Sequence, residues 1–202
     1  MTQIEKVGEK DITDALHRHY NGNNRYRLAN AYIFKRDWES DFFVQKQNGY
    51  CYEFEVKISR SDFFADRKKV DKHMILEHGK FIQQGSIWNP DHTSNEDRWI
   101  KTEKEQEHTM RPNKFYYVVP SGMITINELP SYAGLMSYDN GSISSVKEAP
   151  FIHKNKLDLS SVLVDKFQAY WLNEKFQNRL LLNEIQLLNY KIETLKSQLP
   201  NL

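Results

Sequence analysis

Two acidic residues and one lysine lie within a short stretch that is rich in strand-forming residues. Asp41 precedes the run Phe-Phe-Val, and Glu55 is separated from Lys57 only by Val56. Side chains two residues apart on a β-strand leave the same face about 7 Å apart, so Glu55 and Lys57 would stand side by side. Paired carboxylates bind hard cations such as Mg²⁺, and an adjacent ammonium group stabilises negative charge on a phosphate. The pattern therefore predicts a metal site suited to phosphodiester hydrolysis, in which Mn²⁺ would substitute for Mg²⁺.

The convergence of Asp41 with Glu55 depends on the register of a β-hairpin. Asn48-Gly49 is a strong hairpin signal between two strand-like segments. A two-residue loop there would place Phe42 opposite Glu55, among charged side chains. A three-residue loop, with the glycine in the left-handed conformation, places Phe42 opposite Phe54 and Asp41 opposite Glu55. Because a one-residue slip moves every side chain to the other face, the apolar pattern favours the three-residue loop.

A second interpretation of this strand is purely structural. Glu53, Glu55 and Lys57 alternate with apolar residues, and such a strand commonly turns its charged face to water. Two carboxylates that face each other across strands would then only repel, which lowers stability. Glu39 would project near Lys57 in the favoured register, as a further ligand, a base or an ion-pair partner.

The surrounding segments predict the elements that would hold these residues. A helix is predicted over residues 10–20, and strands are predicted over residues 29–34, 41–46, 50–59, 114–119, 134–138 and 142–147. Ser61-Asp62 resembles an N-cap for one helix that runs to about residue 78. Residues 80–112 lose periodicity and are predicted to form an insertion, such as a mobile flap. Both acids and the lysine would thus lie on neighbouring strands that are followed by a helix.

Positive charge is concentrated in the segment that follows these strands. The candidates for contact with nucleic acid are Arg60, Lys68, Lys69, Lys72 and His73. Lys68 and Lys72 are four residues apart and would share one face of the predicted helix. Because the whole chain has a formal net charge of only +1, a DNA-binding surface must be local. Such a stripe would neutralise phosphates without reading the base sequence, and the alternative is a solvated helix face.

The order of these elements and residues resembles the PD-(D/E)XK nuclease superfamily. More narrowly, the run Glu-Val-Lys-Ile-Ser-Arg-Ser-Asp-Phe-Phe-Ala-Asp at residues 55–66 looks like the MmcB-like DNA-repair group and related phage proteins, as do residues 112–120 and 132–135. The similarity covers residues 8–155, without much of the insertion. It implies an α/β, restriction-endonuclease-like fold with a central mixed β-sheet flanked by helices, to which this chain would add a long C-terminal helix.

By position, the resemblance assigns roles to four residues of the strand pair: Asp41 and Glu55 as metal ligands, Val56 as a further ligand through its backbone carbonyl, and Lys57 as the catalytic lysine. Ser40 stands where the superfamily often has a proline. Many members also use an acidic residue on the first helix, for which Asp11 and Asp14 are the candidates.

The resemblance implies a Mg²⁺-dependent deoxyribonuclease that acts in DNA repair, recombination or phage DNA processing. The alternative is a DNA-binding accessory protein with a nuclease-like fold and little or no catalysis. The nuclease-like domain is predicted over residues 1–158, with its insertion at about 80–112, and a helical segment is predicted over residues 159–202.

The C-terminal segment carries a different pattern. Its apolar residues step by 4, 3, 4, 3 and 4 along Leu181, Ile185, Leu188, Ile192, Leu195 and Leu199. This spacing is typical of the a/d seam of a coiled coil. Two interpretations are open at this point: a helix docked on its own domain, or a short coiled coil that pairs two chains as a homodimer.

The composition predicts a cytoplasmic protein. With 202 residues, of which 39 % are hydrophobic and 27 % charged, the chain is long enough for one domain and one appended element. The single cysteine, Cys51, cannot form an internal disulfide, and no run approaches the roughly 18 apolar residues of a membrane span. The first residues lack the apolar region of a signal peptide, so we expect neither export by that route nor a membrane partner. Neither zinc-type ligand spacing nor a phosphate-binding Gly-x-x-x-x-Gly-Lys loop occurs.

Overall fold

The chain consists of two compact units, residues 1–157 and residues 158–202. The computed structural model describes residues 7–35, 38–88 and 99–198. The first unit contains the helices α1 (Glu9–His19), α2 (Arg60–Asp66) and α3 (Val70–His78), and a 3₁₀-helix at Ile126–Glu128. Its strands are β1 (Asn24–Lys35), β2 (Trp38–Lys46), β3 (Cys51–Val56), β4 (Lys80–Trp88), β5 (Trp99–Glu107), β6 (Lys114–Pro120), β7 (Ala133–Asp139) and β8 (Ser142–Lys147). The second unit contains the long helix α4 (Ser160–Gln198).

Within the described residues, six strands form one mixed β-sheet in the order β1-β2-β3-β6-β7-β8. β1, β2 and β3 are antiparallel neighbours, β6 runs parallel to both β3 and β7, and β8 returns antiparallel to β7. Parallel neighbours require a crossover connection, and α2 and α3 lie in the connection between β3 and β6. The prediction of an α/β chain with a mixed central sheet, flanking helices and a long C-terminal helix is confirmed.

The hairpin between β2 and β3 has the register that the apolar pattern favours. Phe42 lies opposite Phe54, and the Lys46 N–H donates to the Tyr50 carbonyl at 2.8 Å. Gly49 closes the turn with a φ of +89°, a left-handed conformation that glycine adopts without a Cβ clash. The three-residue loop is therefore confirmed.

The apolar face of this hairpin forms the main core together with α1. Ile12 and Leu16 of α1 are fully buried in one cluster with Phe42 and Phe54. The two phenylalanine rings meet edge to face with their centroids 5.9 Å apart. The spacing of Ile12, Ala15 and Leu16 places all three on one helical stripe, which is the stripe that α1 turns to the sheet.

The opposite face of β3 is charged but equally buried. Glu53 is 0 %, Glu55 2 % and Lys57 7 % exposed. The helices that follow β3 cover this face; the Asp66 carboxylate of α2, for example, accepts the hydroxyl of Tyr117 on β6 at 2.8 Å. The interpretation of the alternating strand as a solvated surface is therefore wrong, because periodicity does not show that a helical layer covers the charged side.

The segment after β3 forms two helices where one was predicted from Ser61-Asp62. The Ser59 hydroxyl caps α2 by accepting the Asp62 N–H at 3.2 Å, so the predicted N-cap is also wrong. The chain leaves the helical conformation after Asp66 and enters α3 at Val70.

The break between α2 and α3 decides which residues face the sheet. On an uninterrupted helix, residues six apart point about 120° away from each other. The break instead allows Asp66 and Lys72 to reach the same buried cluster, where both side chains are less than one tenth exposed. Lys68 lies in the connection, so the prediction that Lys68 and Lys72 share a helix face is wrong.

The predicted insertion contains a two-stranded sheet. β4 and β5 pair antiparallel from Lys80 with Glu107 to Trp88 with Trp99, and Lys80 forms an ion pair with Glu105 at 2.6 Å. The segment therefore contains regular β-structure although its sequence lacks periodicity, and residues 89–98 lie outside the described part of the chain. β5 is almost entirely charged or polar, so no apolar alternation marks it, and its pairing with β4 defines the strand.

The second unit is helical, as its heptad spacing predicts. α4 runs without glycine or proline from Ser160 to Gln198 and includes the heptad positions from Leu181 to Leu195. Leu199 lies outside the described residues. Neither α4 nor any other helix in the described ranges has the length and apolar character needed to cross a membrane.

Candidate active site

The three residues predicted to do chemistry converge on the covered face of the sheet. Asp41 precedes Phe42 in β2, and its Oδ2 accepts the backbone N–H of Val56 at 2.7 Å. Nζ of Lys57 lies 2.8 Å from Oε1 of Glu55. The hairpin register therefore brings together the acids of two strands, and Lys57, the residue directly after β3, adds the ammonium group.

These residues line a cleft with a volume of about 650 Å³. The other lining residues come from β1, β2 and the region of α2 and α3: Tyr32, Trp38, Glu39, Lys68, Lys69, Val70, Asp71 and Lys72. Glu55 and Lys57 are buried in the wall, whereas Lys68 and Lys69 are exposed. Such a cleft can receive a phosphate group between surface ammonium groups and buried carboxylates.

The two facing acids fit the Mg²⁺ ion that the resemblance implies. Burial and the negative charge of Glu55 raise the pKa of Asp41 to about 7, although the Val56 N–H and Lys57 favour the ionised form. A divalent cation that binds both carboxylates would relieve their repulsion and replace the proton on Asp41. No group of three or more His, Cys, Asp or Glu side chains in the described residues is arranged to hold a metal ion. Water or substrate oxygens would therefore complete the coordination, as is common for Mg²⁺.

Lys72, predicted to contact DNA, is a buried partner of Glu55. Its Nζ donates to Oε2 of Glu55, and the rings of Trp38 and Phe115 lie 5.6 and 5.2 Å from the same atom. Burial disfavours the ammonium form, but Glu55 and other nearby carboxyl groups raise the pKa of Lys72 above its usual value. Both oxygens of Glu55 are thus bound by lysines, Oε1 by Lys57 and Oε2 by Lys72.

Asp66 belongs to the site although its sequence context did not assign it a role. Its Oδ2 accepts the Tyr117 hydroxyl at 2.8 Å, and its Oδ1 lies 2.9 Å from Nζ of Lys69 and 3.6 Å from Nζ of Lys72. Burial opposes ionisation, but these two lysines hold the pKa of Asp66 well below its usual range. One signal was present in the sequence: Asp66 follows Phe63 by three residues on the buried side of α2, where an apolar residue is expected.

Glu53 is a second acid that the sequence pattern did not place in the interior. Its Oε1 accepts the Trp38 indole N–H at 2.6 Å and the Ser40 hydroxyl at 3.0 Å, whereas its Oε2 has no hydrogen-bond partner. Burial raises the pKa of Glu53 to about 8 against the opposing charge of Lys72. Glu53 is therefore mostly protonated at neutral pH. Ser40 therefore has a structural role as a hydrogen-bond donor to Glu53.

The remaining predicted DNA contacts lie in different environments. Lys68 and Lys69 line the cleft. Arg60 is exposed but forms an ion pair with Glu128, and it is not among the described residues that line the cleft. His73 is partly buried, and one of its ring nitrogens lies 2.9 Å from a backbone carbonyl of α2; burial lowers its pKa.

The remaining candidate acids, Glu39, Asp11 and Asp14, also lie in different environments. Glu39 of β2 was placed near Lys57; it lines the cleft and accepts the Tyr32 hydroxyl at 3.1 Å. Asp11 and Asp14 belong to α1, which packs on the opposite face of the sheet, and neither is among the described cleft residues. The first-helix acid that the resemblance suggests is therefore not part of this site.

Comparison with known proteins bears on the fold. No model of a known protein family matches the chain, and no curated protein matches it. A solved structure of a protein of unknown function from Silicibacter pomeroyi is similar, with a TM-score of 0.53 and 18 % sequence identity. The similarity covers 85 % of this chain and 90 % of that chain. At this identity the likeness extends to the α/β fold and carries no activity with it.

Proposed function

We propose that this protein is a metal-dependent nuclease that hydrolyses DNA phosphodiester bonds in DNA repair, recombination or phage DNA processing. The observation that carries the proposal is the convergence of Asp41, Glu55 and Lys57 in one cleft that also presents Lys68 and Lys69. The order of one helix, three antiparallel strands, two helices and, after the inserted β4–β5 pair, a parallel strand supports a restriction-endonuclease-like fold of the PD-(D/E)XK superfamily, with the MmcB-like group as the nearer resemblance.

The roles of the site residues follow from their chemistry. Asp41 and Glu55 would bind Mg²⁺ through carboxylate oxygens, together with the backbone carbonyl of Val56. The bound ion would lower the pKa of a coordinated water and polarise the phosphodiester. Lys57 would hold its ammonium group against the negative charge that develops on the phosphate oxygens. Although burial opposes that charge, the Glu55 carboxylate raises the pKa of Lys57, so the lysine stays protonated.

Lys68 and Lys69 would bind backbone phosphates beside the reacting group. Both are exposed, and the side chain of Lys69 is 59 % exposed even with Asp66 as its partner. Contacts to phosphate position the strand without reading its bases, and they weaken as salt is added. We therefore expect DNA binding that is largely independent of sequence and steeply dependent on ionic strength.

A DNA-binding accessory protein with little or no catalysis is the second candidate. The observation that favours it is the double ion pair of Glu55, whose two oxygens already contact Lys57 and Lys72. In a nuclease, the ion would share the Glu55 carboxylate with these two lysines. In a binding protein, the same ion pairs would simply stabilise the cleft wall.

The test is a cleavage panel over single-stranded, duplex and branched DNA and RNA, each with and without Mg²⁺. We expect Mg²⁺-dependent cleavage of DNA that falls at least about 100-fold in Lys57→Ala, the scale of losing one group that stabilises transition-state charge. DNA retention by this variant should stay near that of the unmodified chain. Its melting temperature should fall, because Glu55 loses a buried partner at 2.8 Å, so cleavage is compared below the melting temperature of the variant. Lys104→Ala on β5 removes an exposed lysine outside the cleft and should cleave normally.

Three outcomes would contradict the proposal. Equal cleavage by Lys57→Ala, or full cleavage in EDTA, would remove the mechanism. DNA binding without cleavage on every substrate would leave the accessory protein as the function.

A further inference from the structure

The apolar side chains of α4 are unusually exposed. Leu181 is 55 %, Ile185 53 % and Leu188 50 % exposed, although leucine and isoleucine side chains are usually buried. α4 has 39 residues and therefore extends for about 60 Å. A long apolar stripe on a helix in water marks a surface that is covered in the functional state.

Because α4 is continuous, its heptad phase can be assigned along its whole length. The stripe has isoleucine at the a positions 185 and 192, and leucine at the d positions 181, 188 and 195. Isoleucine at a with leucine at d favours two parallel strands over higher oligomers. A second α4 in the same orientation supplies the knobs and holes that this stripe requires.

Asn178 occupies the next a position towards the N-terminus, seven residues before Ile185. A lone asparagine in an apolar seam lowers stability but selects a two-stranded, in-register arrangement, because two such amides hydrogen-bond to each other. An apolar groove on an unrelated protein would leave the Asn178 amide buried without a partner, which is costly. A second copy of this chain would place its own Asn178 amide against the first, so that the two amides hydrogen-bond to each other.

The seam continues towards the start of α4 in the same phase. Val164 and Trp171 fall at a and Phe167 at d, and these side chains are 62, 46 and 68 % exposed. Glu174 at d and Asn178 at a separate this block from the isoleucine–leucine block. A shift of one heptad between two helices would place Asn178 of one chain against an apolar residue of the other. The polar position therefore sets the register of the two helices.

We propose that α4 pairs with α4 of a second copy of this chain in a parallel two-stranded coiled coil, in register at Asn178. The proposed dimer is inferred from α4 alone and does not rest on the activity proposed above. The dimer would carry two nuclease-like units from one coiled coil.

The first test is the mass of the full chain in solution, measured by light scattering after size exclusion. We expect twice the 24.0 kDa of one chain at micromolar concentration. Leu188→Lys places a charge in the seam and should weaken dimerisation at least about 100-fold. Leu187→Lys is the matched control, since Leu187 is 54 % exposed against 50 % for Leu188 but lies off the seam. A monomeric chain, or equal effects of the two variants, would overturn the proposal.

The second test addresses orientation and register. With oxidised glutathione as the oxidant, two Asn178→Cys thiols in a parallel dimer should form one interchain disulfide while glutathione is reduced to two thiols. Asn183→Cys places the same substitution on the outer face of α4 and should remain uncrosslinked, and the natural Cys51 is buried. A dimeric mass in which Asn178→Cys fails to crosslink, or crosslinks no faster than Asn183→Cys, would overturn the parallel, in-register arrangement.

Discussion

The β2–β3 hairpin buries both of its faces, and the two faces use opposite chemistry. Towards α1, Phe42 and Phe54 are fully buried among apolar side chains. Towards α2 and α3, Glu55 is as deeply buried but is held by Lys57 and Lys72. An apolar side chain stabilises the fold by its own burial, whereas a buried charge does so only while its partner is present. The charged face is therefore a costly way to build a core, which is consistent with a face kept for chemistry.

The largest loss of stability should come from a substitution on the apolar face. Phe54→Ala removes a fully buried ring that stacks on Tyr116 at 5.4 Å and meets Phe42 at 5.9 Å. We expect a loss of about 3–5 kcal/mol in the free energy of unfolding, measured with guanidinium chloride. Phe64→Ala is the matched control, because Phe64 is 40 % exposed. Similar losses in the two variants would show that burial on this face does not dominate stability.

The next effect should come from the charged face, and it should be reversible by a second substitution. Lys72→Met leaves Glu55 buried with one lysine fewer, and we expect a loss of about 3 kcal/mol in the free energy of unfolding. Adding Glu55→Gln removes the carboxylate that Lys72 neutralised and should restore more than half of that loss, because Lys57 keeps Asp62 at 3.8 Å and Asp66 keeps Lys69 at 2.9 Å. The same denaturant titration measures both variants. If the double variant is less stable than Lys72→Met, the two side chains do not form the coupled pair described here.

The smallest effect should be the pH dependence of stability that arises from protons bound on the charged face. Burial raises the pKa of Glu53 to about 8 and that of Asp41 to about 7, whereas unfolded carboxyl groups release their protons near pH 4. The folded chain therefore binds more protons than the unfolded chain between about pH 4 and pH 8, so its stability falls as pH rises through this window.

Urea unfolding in EDTA across this window measures the slope. Glu53→Gln should make the decline shallower by about 1 kcal/mol per pH unit, the value expected for one group. An unchanged slope in this variant, or stability that rises with pH in the unmodified chain, would show that Glu53 is ionised in the fold.

The local sequence pattern was sufficient to predict those elements whose apolar residues all lie on one face. The hairpin register followed from keeping Phe42 with Phe54, and the left-handed turn followed from Gly49. The helical nature of α4 followed from its uninterrupted heptads. In the hairpin, a shift of one residue would expose the whole apolar face, so the sequence excludes the other register.

Contacts between distant segments were not predictable in this way. Lys68 and Lys72 look equivalent in sequence, yet Lys68 is exposed and Lys72 is buried on Glu55. The helix break after Asp66 separates these two lysines. This break lets Asp66 and Lys72 reach the same buried cluster, which becomes visible only once α2 and α3 are packed on the sheet. Likewise, β5 has no apolar alternation and exists because it pairs with β4.

By itself, the sequence determined the register of the β2–β3 hairpin, the convergence of two acids and a lysine on neighbouring segments, and a long heptad helix. Only the tertiary structure decided that the charged face is covered, that Lys72 neutralises Glu55, and that Asp66 and Glu53 belong to the interior. The physical reason is that periodicity records which side of an element a residue occupies. Which layer lies against that side depends on residues far away in the chain.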